Sequence, residues 1–459
     1  MKKIRFFIAL WAAKAARVLM KLLGRNATYL PGKVALKLCP NFLDQLPHPR
    51  TVIAVTGTNG KTTVSNLLSS ILKENGYSVT NNSFGSNVQS GVVTALIADA
   101  ALSGRAKKDI AVLEVDERSS LLVYPHFQPD YLICNNIMRD SIKRNAHTGF
   151  ISYIISSALP ESTRLILNAD DLICATLGRQ CSNRTYFGID ARKPTETARQ
   201  FISDIVYCPE CGEKLESEYL RYNHIGRMYC PKCGMKSPTP DFLVTDINFE
   251  DNTFTVTHDG KNLHCNLVND NIVNIYNFCG VVALLSKLGM TDEQIVNSFS
   301  KLEIVKTRYE VIQSGDLNIT MLMAKGQNPI ACARCYDYVA KCPGSSKGLI
   351  IIVDDLGDNI NNSETTCWLY DCDYSCLADP SIGQIVFGGP RSKDQYLRAV
   401  LAGVDPARIR ITDSSSGASE LLDTDICKDV YVLFELYRAP DAEANKRALI
   451  ARGQGGNKA

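Results

Sequence analysis

Short apolar runs alternate with segments of helical periodicity along most of this chain. Each run has the length of a buried strand, and the stretches between the runs are long enough to hold helices. This alternation predicts an α/β fold built on mostly parallel sheets, in which helices connect successive strands. The runs lie at residues 52–55, 110–115, 131–134 and 164–167, and again at 348–353, 385–389 and 430–434.

The first 50 residues differ and predict a helical lead-in, interrupted at Pro31-Gly32. Basic residues flank the apolar stretch 6–13, which is too short for a bilayer span of ~20 apolar residues. No convincing signal-peptide cleavage site follows it. A basic amphipathic helix fits better, and it can pack on the next domain, the interpretation we favour, or lie on an anionic membrane surface. We therefore predict a cytoplasmic protein, with peripheral contact at the inner face of the membrane as the alternative.

Composition is that of an ordinary globular protein. The chain has 459 residues, of which 45% are hydrophobic and 21% charged, and this length predicts more than one domain. The net charge of +2 gives no sign of a nucleic-acid-binding surface. The 17 cysteines are odd in number and widely scattered, which favours a reducing compartment where most of them are small buried hydrophobic residues.

The most informative motif is Thr-Gly-Thr-Asn-Gly-Lys-Thr-Thr at residues 56–63. It stands between an apolar run and a helix-like segment, which is the context that a phosphate-binding loop requires. Glycines let the backbone approach an anion, Lys61 would reach the β- and γ-phosphates, and Thr62 would contact Mg²⁺. The general pattern has another glycine where this chain has Val55, so this is a shorter form. A helix cap with two chance glycines is the alternative, and the context disfavours it.

Four cysteines form two matching turns. Each turn is Cys-Pro-x-Cys followed directly by glycine, and the short distance between the pairs suits a zinc ribbon. Four thiolates close a tetrahedral zinc site, so the predicted metal is structural. Ordinary buried cysteines and redox pairs are the alternatives, and the two matched turns disfavour both. His224 lies between the pairs and is interpreted as a bystander. The predicted ligands are Cys208, Cys211, Cys230 and Cys233.

Carboxylates follow several of the predicted strands. Because parallel strands present their carboxyl ends at one edge, Glu114 is a candidate Mg²⁺ ligand beside Thr62, and a solvated acidic turn is an equally good interpretation. The polar turn 168–171 can be a helix cap. The aspartate-rich turn 354–358 can orient a base, hold a cation or dock a partner, although a surface loop is the commoner case.

Together these motifs resemble the Mur ligase superfamily. The phosphate loop, the acidic segment 114–117 and the Asn-Ile-Tyr-Asn segment 274–277 are similar to its central domain. The inserted ribbon, the lead-in segment 30–35 and the aspartate-rich turn resemble the MurT family within it. The resemblance covers essentially the whole chain. It implies an α/β fold with a Mur-ligase-type P-loop central domain, an inserted four-cysteine zinc ribbon and a C-terminal Rossmann-like α/β domain.

The predicted domain boundaries follow from the same resemblance. Residues 1–50 form the helical lead-in, and residues 51–305 form the central ATP-binding domain. The zinc ribbon interrupts that domain at residues 200–240, and residues 306–459 form the C-terminal domain.

The resemblance also implies an activity. Members of this family are similar to ligases that use ATP to activate a carboxylate as an acyl phosphate. The implied acid is the α-carboxylate of D-glutamate in the stem peptide of lipid II, a peptidoglycan precursor. Ammonia from a separate GatD-type glutaminase would then give D-isoglutamine, ADP and phosphate. The implied cofactors are ATP, Mg²⁺ and Zn²⁺, and the implied partners are this glutaminase, in a heterodimer, and lipid II at the inner membrane surface.

Family roles carry over onto individual residues. Glu114 matches the metal-binding glutamate, Asn277 the adenine-side asparagine and Arg308 the nucleotide-side arginine. Asp355 best matches the aspartate that completes the Cys–His triad of the partner, and Asp358 is the second match. The phosphate-loop match comprises Gly57, Thr58, Asn59, Gly60, Lys61, Thr62 and Thr63.

The chain also departs from the family pattern. The stretch 139–146, the aspartate-rich turn with the segment 367–371 after it, and the interrupted Lys-Asn-Pro motif at 325–329 all differ from the usual sequences. These departures concern the expected acceptor and partner sites more than the nucleotide site. Two other functions therefore stay open: an amino-acid ligase of the Mur or folylpolyglutamate type, and a non-catalytic ATP-binding scaffold. Neither charge nor aromatic patterning supports a nucleic-acid-binding ribbon.

Overall fold

The chain divides into two compact units in a computed structural model. The first unit is drawn from residues before 306, and the second chiefly from residues after 305. Every helix of the described segments is too short or too polar to cross a bilayer. The structure describes residues 2–82, 86–140, 145, 147–190, 203–267, 272–302, 309–324, 328–353 and 366–455.

Nine strands of the first unit, counted over its described residues, form one mixed sheet. Its order is β11-β10-β9-β6-β5-β4-β1-β3-β2. Neighbours from β2 to β9 pair in parallel, whereas β10 pairs antiparallel with both β9 and β11. The expected α/β class is confirmed, and the antiparallel edge makes the sheet mixed. The strands of this unit are β1 (Thr51–Thr56), β2 (Val79–Asn81), β3 (Ile110–Glu114), β4 (Tyr131–Cys134), β5 (Arg164–Asn168), β6 (Arg184–Ile189), β7 (Glu216–Tyr222), β8 (Ile225–Tyr229), β9 (Phe242–Asn248), β10 (Thr253–His258) and β11 (Lys261–Asn266).

Helices cover the sheet of the first unit and bury its central strands. β1, β3 and β4 are apolar on both faces, as expected for parallel strands that are covered from both sides. The helices are α1 (Lys2–Leu22), α2 (Leu30–Leu38), α3 (Phe42–Gln45), α4 (Lys61–Glu74), α5 (Gln89–Asp99), α6 (Ser120–Val123), α7 (Thr148–Ala158), α8 (Leu172–Ala175), α9 (Ile272–Lys287) and α10 (Asp292–Ser300).

The helical lead-in differs in one detail from its prediction. The expected break at Pro31-Gly32 lies earlier, at residues 23–29, and both residues belong to the first turn of α2. Proline is tolerated there because its missing N–H would have no partner within the helix. Gly32 is required for packing, since a Cβ at this position would overlap the carbonyl oxygen of Ser90 in α5.

The cysteine-rich segment is inserted between two neighbouring strands of the large sheet. β7 and β8 form a separate antiparallel hairpin, and the chain then returns to β9, which pairs directly with β6. The hairpin therefore leaves the order of the sheet unchanged.

The second unit contains a six-stranded sheet over its described residues, in the order β12-β13-β17-β14-β15-β16. All neighbours are parallel except β12 and β13. Its strands are β12 (Tyr309–Ser314), β13 (Leu317–Met323), β14 (Lys347–Ile352), β15 (Ile382–Gly388), β16 (Ile409–Thr412) and β17 (Asp429–Phe434). Its helices are α11 (Pro329–Lys341), α12 (Cys367–Asp371), α13 (Ser392–Leu401) and α14 (Ala439–Gly455).

Candidate active site

The order of the large sheet brings three sequence segments together. β1 lies between β3 and β4, and all three strands are parallel. Their carboxyl ends therefore meet at one edge, which is where open α/β sheets bind ligands. The loop after β1 is the 56–63 motif, the segment after β3 is acidic, and the segment after β4 begins with Asn135 and Asn136.

Two glycines give the phosphate loop its shape. Gly57 has φ +119° and Gly60 has φ +88°, which are conformations that residues with a Cβ rarely adopt. α4 begins directly after Gly60, so its free backbone amides face the loop. A Cβ on Gly60 would overlap the side-chain amide of Asn277. Asn277 is buried and cannot move away easily, because Asn135 Nδ2 donates to its Oδ1 at 2.6 Å.

Gly60→Ala is expected to weaken ATP binding by roughly 10-fold or more, because the alanine would have to adopt a strained φ and displace Asn277. Gly76→Ala is the matched control: Gly76 has φ +84°, and a Cβ there would meet no atom within 4 Å. The control has the same backbone cost without the clash. Calorimetric titration with ATP, together with thermal unfolding, separates the two effects. Equal losses of ATP affinity in both variants would contradict the role assigned to Gly60.

Lys61 is buried at the start of α4 and pairs with an acidic residue. Its Nζ lies 2.9 Å from Glu117 Oε1 and also donates to the Gly57 carbonyl. The two side chains are only 11% and 3% exposed. Burial lowers the pKa of Lys61, but the charge and hydrogen bond of Glu117 outweigh it, so the pKa is raised. Lys61 is therefore held as a cation inside the phosphate loop.

Thr62 and Glu114 are brought together at the same edge. Thr62 Oγ1 donates to Glu114 Oε2 at 2.8 Å, and Asn87 Nδ2 donates to Glu114 Oε1 at 3.0 Å. Asn82 fixes the backbone of Glu114, accepting from its N–H at 2.8 Å and donating to its carbonyl at 2.9 Å. A hydroxyl and a carboxylate thus stand beside the buried cation.

Sequence reasoning missed Asn136, which supports the phosphate loop from behind. Its carbonyl accepts from Thr58 N at 2.9 Å, and its Oδ1 accepts from Asn59 N at 2.9 Å. Its Nδ2 donates back to the Asn59 carbonyl at 3.1 Å. The sequence feature that could have identified Asn136 is its position. Two asparagines directly follow β4, and β4 lies next to β1 in a parallel sheet. Glu117 was also missed as the partner of Lys61, although it lies within the acidic segment that the sequence singled out.

The four predicted zinc ligands converge at the base of the β7–β8 hairpin. Their sulfurs all lie within 4.8 Å of one another. Cys208 Sγ and Cys233 Sγ are 3.6 Å apart, and Cys211 Sγ and Cys230 Sγ are 3.5 Å apart. The Cys233 backbone amide points at Cys230 Sγ at 3.5 Å. A tetrahedron of thiolates at the usual zinc–sulfur distance has edges of about 3.8 Å, so the arrangement fits the ion.

The tip of this hairpin contacts the turn after β5 through buried Asp170. The Gly226 amide donates to the Asp170 carbonyl at 2.6 Å, and Arg227 Nε lies 3.3 Å from Asp170 Oδ1. Tyr276, the residue before Asn277 in α9, donates to Asp170 Oδ2 at 2.8 Å. Asp170 therefore connects the hairpin with the helix that contacts Gly60.

His224 is not one of the clustered ligands, as expected, but it joins the hairpin to the turn after β5. It is fully buried, and its Nε2 lies 3.0 Å from Asp171 Oδ1. Burial lowers the pKa of His224, but the Asp171 carboxylate outweighs it, so the pKa is raised. Asp171 also caps α8, as expected for its turn, and its Oδ2 accepts from Ile137 N at 2.7 Å. Ile137 directly follows Asn136, which supports the phosphate loop. The Asp171 contact therefore also connects the hairpin with that loop.

Three further predicted site residues, Arg308, Asp355 and Asp358, lie outside the described residues. Thr63 lies in the first turn of α4, directly after Thr62 in the sequence.

Comparison with known proteins identifies the domains and relatives of this chain. Residues 55–215 match the Mur ligase middle domain, and residues 326–438 match the MurT ligase C-terminal domain. The MurT subunit of lipid II isoglutaminyl synthase from Streptococcus pneumoniae is 28% identical over 432 residues, covering 93% of both chains. The chain thus combines a Mur ligase middle domain with a MurT ligase C-terminal domain, and it is homologous to MurT subunits over nearly its whole length. The MurT subunit from Staphylococcus aureus is 27% identical over 431 residues, covering 92% of this chain and 93% of the relative.

Solved structures support the same fold. A pseudomurein peptide ligase type C from Methanothermus fervidus has a TM-score of 0.66 at 19% identity, and the match covers 90% of this chain and 81% of that one. At this identity the likeness concerns the fold alone. Both matched family models are ligase models, and the chain is accordingly an ATP-dependent ligase.

Proposed function

We propose that this chain amidates the α-carboxylate of D-glutamate in the lipid II stem peptide, in peptidoglycan biosynthesis. The observation that carries the proposal is a buried Lys61 beside Thr62 and Glu114 at the carboxyl edge of β1, in a chain whose relatives are subunits of lipid II isoglutaminyl synthases. The free thiols suit a cytoplasmic location, where ATP is available.

The proposed chemistry has two steps. A carboxylate oxygen of the acceptor attacks the γ-phosphorus of ATP, the bond to the β–γ bridging oxygen breaks, and ADP leaves. Ammonia then attacks the carbonyl carbon of the acyl phosphate, loses a proton, and expels phosphate to form the amide. Lys61 and the amides at the start of α4 stabilise negative charge on the transferred group.

The metal roles are assigned to residues that fit them. Thr62 and Glu114 would hold Mg²⁺, because a hydroxyl and a carboxylate oxygen 2.8 Å apart are hard oxygen ligands beside the phosphate loop. When bound, Mg²⁺ neutralises charge on the phosphates. On the base side, Asn277 and Arg308 are proposed to contact the nucleotide. Asn277 also keeps the loop in shape through its contact with Gly60.

We further propose that the four-cysteine module is a zinc ribbon with a structural role. The sulfur positions fit a closed tetrahedral site, and the hairpin above them supplies His224 and Arg227 to the buried Asp171 and Asp170. The ion would fix the base of the hairpin, and the hairpin in turn would hold the segments behind the phosphate loop.

The second unit is proposed to be Rossmann-like. The chain adds β14, β15 and β16 in one direction across the sheet, and after β16 it crosses to β17 on the other side of β14. The carboxyl end of β14 is therefore a topological switch point, where α/β sheets bind ligands. Asp355 and Asp358 follow β14 in the sequence. This position supports a role in docking the glutaminase partner and completing its triad.

The decisive experiment is mass spectrometry of lipid II incubated with the chain, ATP and Mg²⁺, supplied either with ammonium or with glutamine and a GatD-type glutaminase. We expect one stem-peptide hydroxyl to be replaced by an amino group under both conditions. Asp355→Asn should abolish amidation with glutamine and keep amidation with ammonium, because it removes only the orienting carboxylate of the triad. Asp358→Asn is the matched comparison and should keep both.

Each other outcome has a defined meaning. If Asp355→Asn loses both activities or neither, the triad assignment is wrong. If lipid II is unchanged under every condition while ATP binds, the amidation proposal is wrong and a non-catalytic scaffold is favoured. Amide formation with an added amino acid in place of ammonia would establish the amino-acid ligase.

A further inference from the structure

The first helix has two apolar faces, and packing accounts for only one of them. Phe6, Ala9, Leu10 and Ala13 of α1 are buried, and Phe6 stacks on Phe42 of α3 with ring centroids 4.9 Å apart. This face is the packing interaction expected of the lead-in. Six large apolar side chains of the same helix are each more than half exposed, namely Ile4, Ile8, Trp11, Val18, Leu19 and Leu22.

The exposed residues form a continuous stripe. At 3.6 residues per turn all six fall on one side of the helix, and exposed Ala15 fills the gap between Trp11 and Val18. The stripe is about 20 residues long, or ~30 Å at the rise of an α-helix. A contiguous apolar strip of this kind on a water-facing surface marks an interaction site.

The charges around the stripe all have one sign. Residues 1–26 contain seven of the chain's 50 basic residues and none of its 48 acidic residues. Lys3, Arg5 and Lys21 are exposed beside the stripe. Lys14 anchors the helix instead, since its Nζ donates to the carbonyls of Ile97 and Ala100 at 2.8 and 2.6 Å. The helix is therefore fixed to the unit while its apolar stripe and basic residues face outward.

We propose that the stripe of α1 binds an anionic lipid bilayer, with the helix lying in the plane of the surface. Apolar side chains would enter the acyl boundary, Trp11 suits the interface, and the basic residues would contact anionic headgroups. A second copy of this chain is disfavoured as the occupant, because it would bring two uniformly basic helices together. The proposal adds a membrane-binding element to the proposed function, but the binding itself does not depend on catalysis.

The test is co-sedimentation of the full chain with vesicles of phosphatidylcholine containing phosphatidylglycerol, and with vesicles of phosphatidylcholine alone. We expect binding to the anionic vesicles that weakens as salt is raised, and little binding to the neutral ones. Ile8→Glu/Val18→Glu should weaken binding by at least about 10-fold, because it places charges within the stripe. Phe150→Glu/Tyr153→Glu, on exposed positions of α7, is the matched control and should bind like the wild type.

Several results would overturn the proposal. They are absence of sedimentation with anionic vesicles, equal losses in the stripe variant and the control, and self-association through the stripe in analytical ultracentrifugation. Circular dichroism checks that both variants fold. Amidation of a short-chain, water-soluble lipid II analogue in the absence of vesicles should be unchanged in the stripe variant. Failure of amidation by the wild-type chain, while that chain still binds anionic vesicles, would refute the proposed function and leave the membrane proposal standing.

Discussion

Lys61→Ala is expected to lower the rate of ATP-dependent amidation by at least about 10²-fold, the usual cost of losing a preorganised charge partner of the transition state. Lys61 is buried, paired with Glu117 and held as a cation at the start of α4. Single-turnover amidation with saturating ATP measures the two chemical steps together, without product release. Lys73→Ala, on the exposed far end of the same helix, is the matched control and should have wild-type rates.

The single variant removes the cationic partner of the buried Glu117 carboxylate, and breaking a buried pair in this way costs roughly 3–5 kcal/mol. A loss of activity could then reflect unfolding. Lys61→Met/Glu117→Gln removes both charges and should recover most of the thermal stability while amidation stays low. If the double variant amidates lipid II at the wild-type rate, Lys61 does not act on the transferred phosphoryl group.

Removal of the proposed zinc ligands should weaken both the fold and ATP binding. Cys211→Ser/Cys230→Ser takes two of four thiolates from the cluster, and we expect bound zinc to fall from one equivalent to none. Without a fixed base, the hairpin would withdraw Arg227 and His224 from Asp170 and Asp171. Each carboxylate would keep its other hydrogen bonds but lose its cationic partner, and breaking a buried pair in this way costs roughly 3–5 kcal/mol. Elemental analysis, denaturant unfolding and ATP titration measure the three consequences.

Cys342→Ser is the control for cysteine loss in general, since Cys342 is also partly buried and lies outside the cluster. This variant should have the same zinc content, free energy of unfolding and ATP affinity as the wild type. A doubly substituted chain that loses zinc but binds ATP as tightly as the wild type would refute the link between the ribbon and the phosphate loop, and would leave the ribbon as an independent module.

The fold class was predictable because its signal is local. The runs that became β1, β3 and β4 are buried and, apart from Glu114, apolar, and their alternation with helices already indicates a parallel α/β sheet. The antiparallel edge was not predicted, because β10 and β11 form a hairpin whose place depends on which edge of the sheet remains open.

The candidate site was predictable where a role depends on contiguous residues. The phosphate loop and the two cysteine turns are short motifs, so their residues could be named without knowledge of the sheet order. The contacts of Asn136 and Glu117 depend on which strands flank β1, and no single segment of the sequence specifies that order. The contact between His224 and Asp171 joins residues that are 53 positions apart, across an inserted hairpin. No hydrophobic periodicity in the sequence predicts such a contact.

The place of the insertion has a consequence for how the chain folds. β6 and β9 are adjacent in the sheet, yet residues 190–241 must loop out before they can pair. If the proposed metal joins Cys208 to Cys233, the loop that remains to be closed is about half as long. The entropic cost of closing it is then lower by about 0.6 kcal/mol. α9, which carries Asn277, follows β9 to β11 in the chain, so it docks on a sheet that this closure extends. Metal binding would therefore affect both the rate at which the nucleotide site forms during folding and the stability of that site once formed.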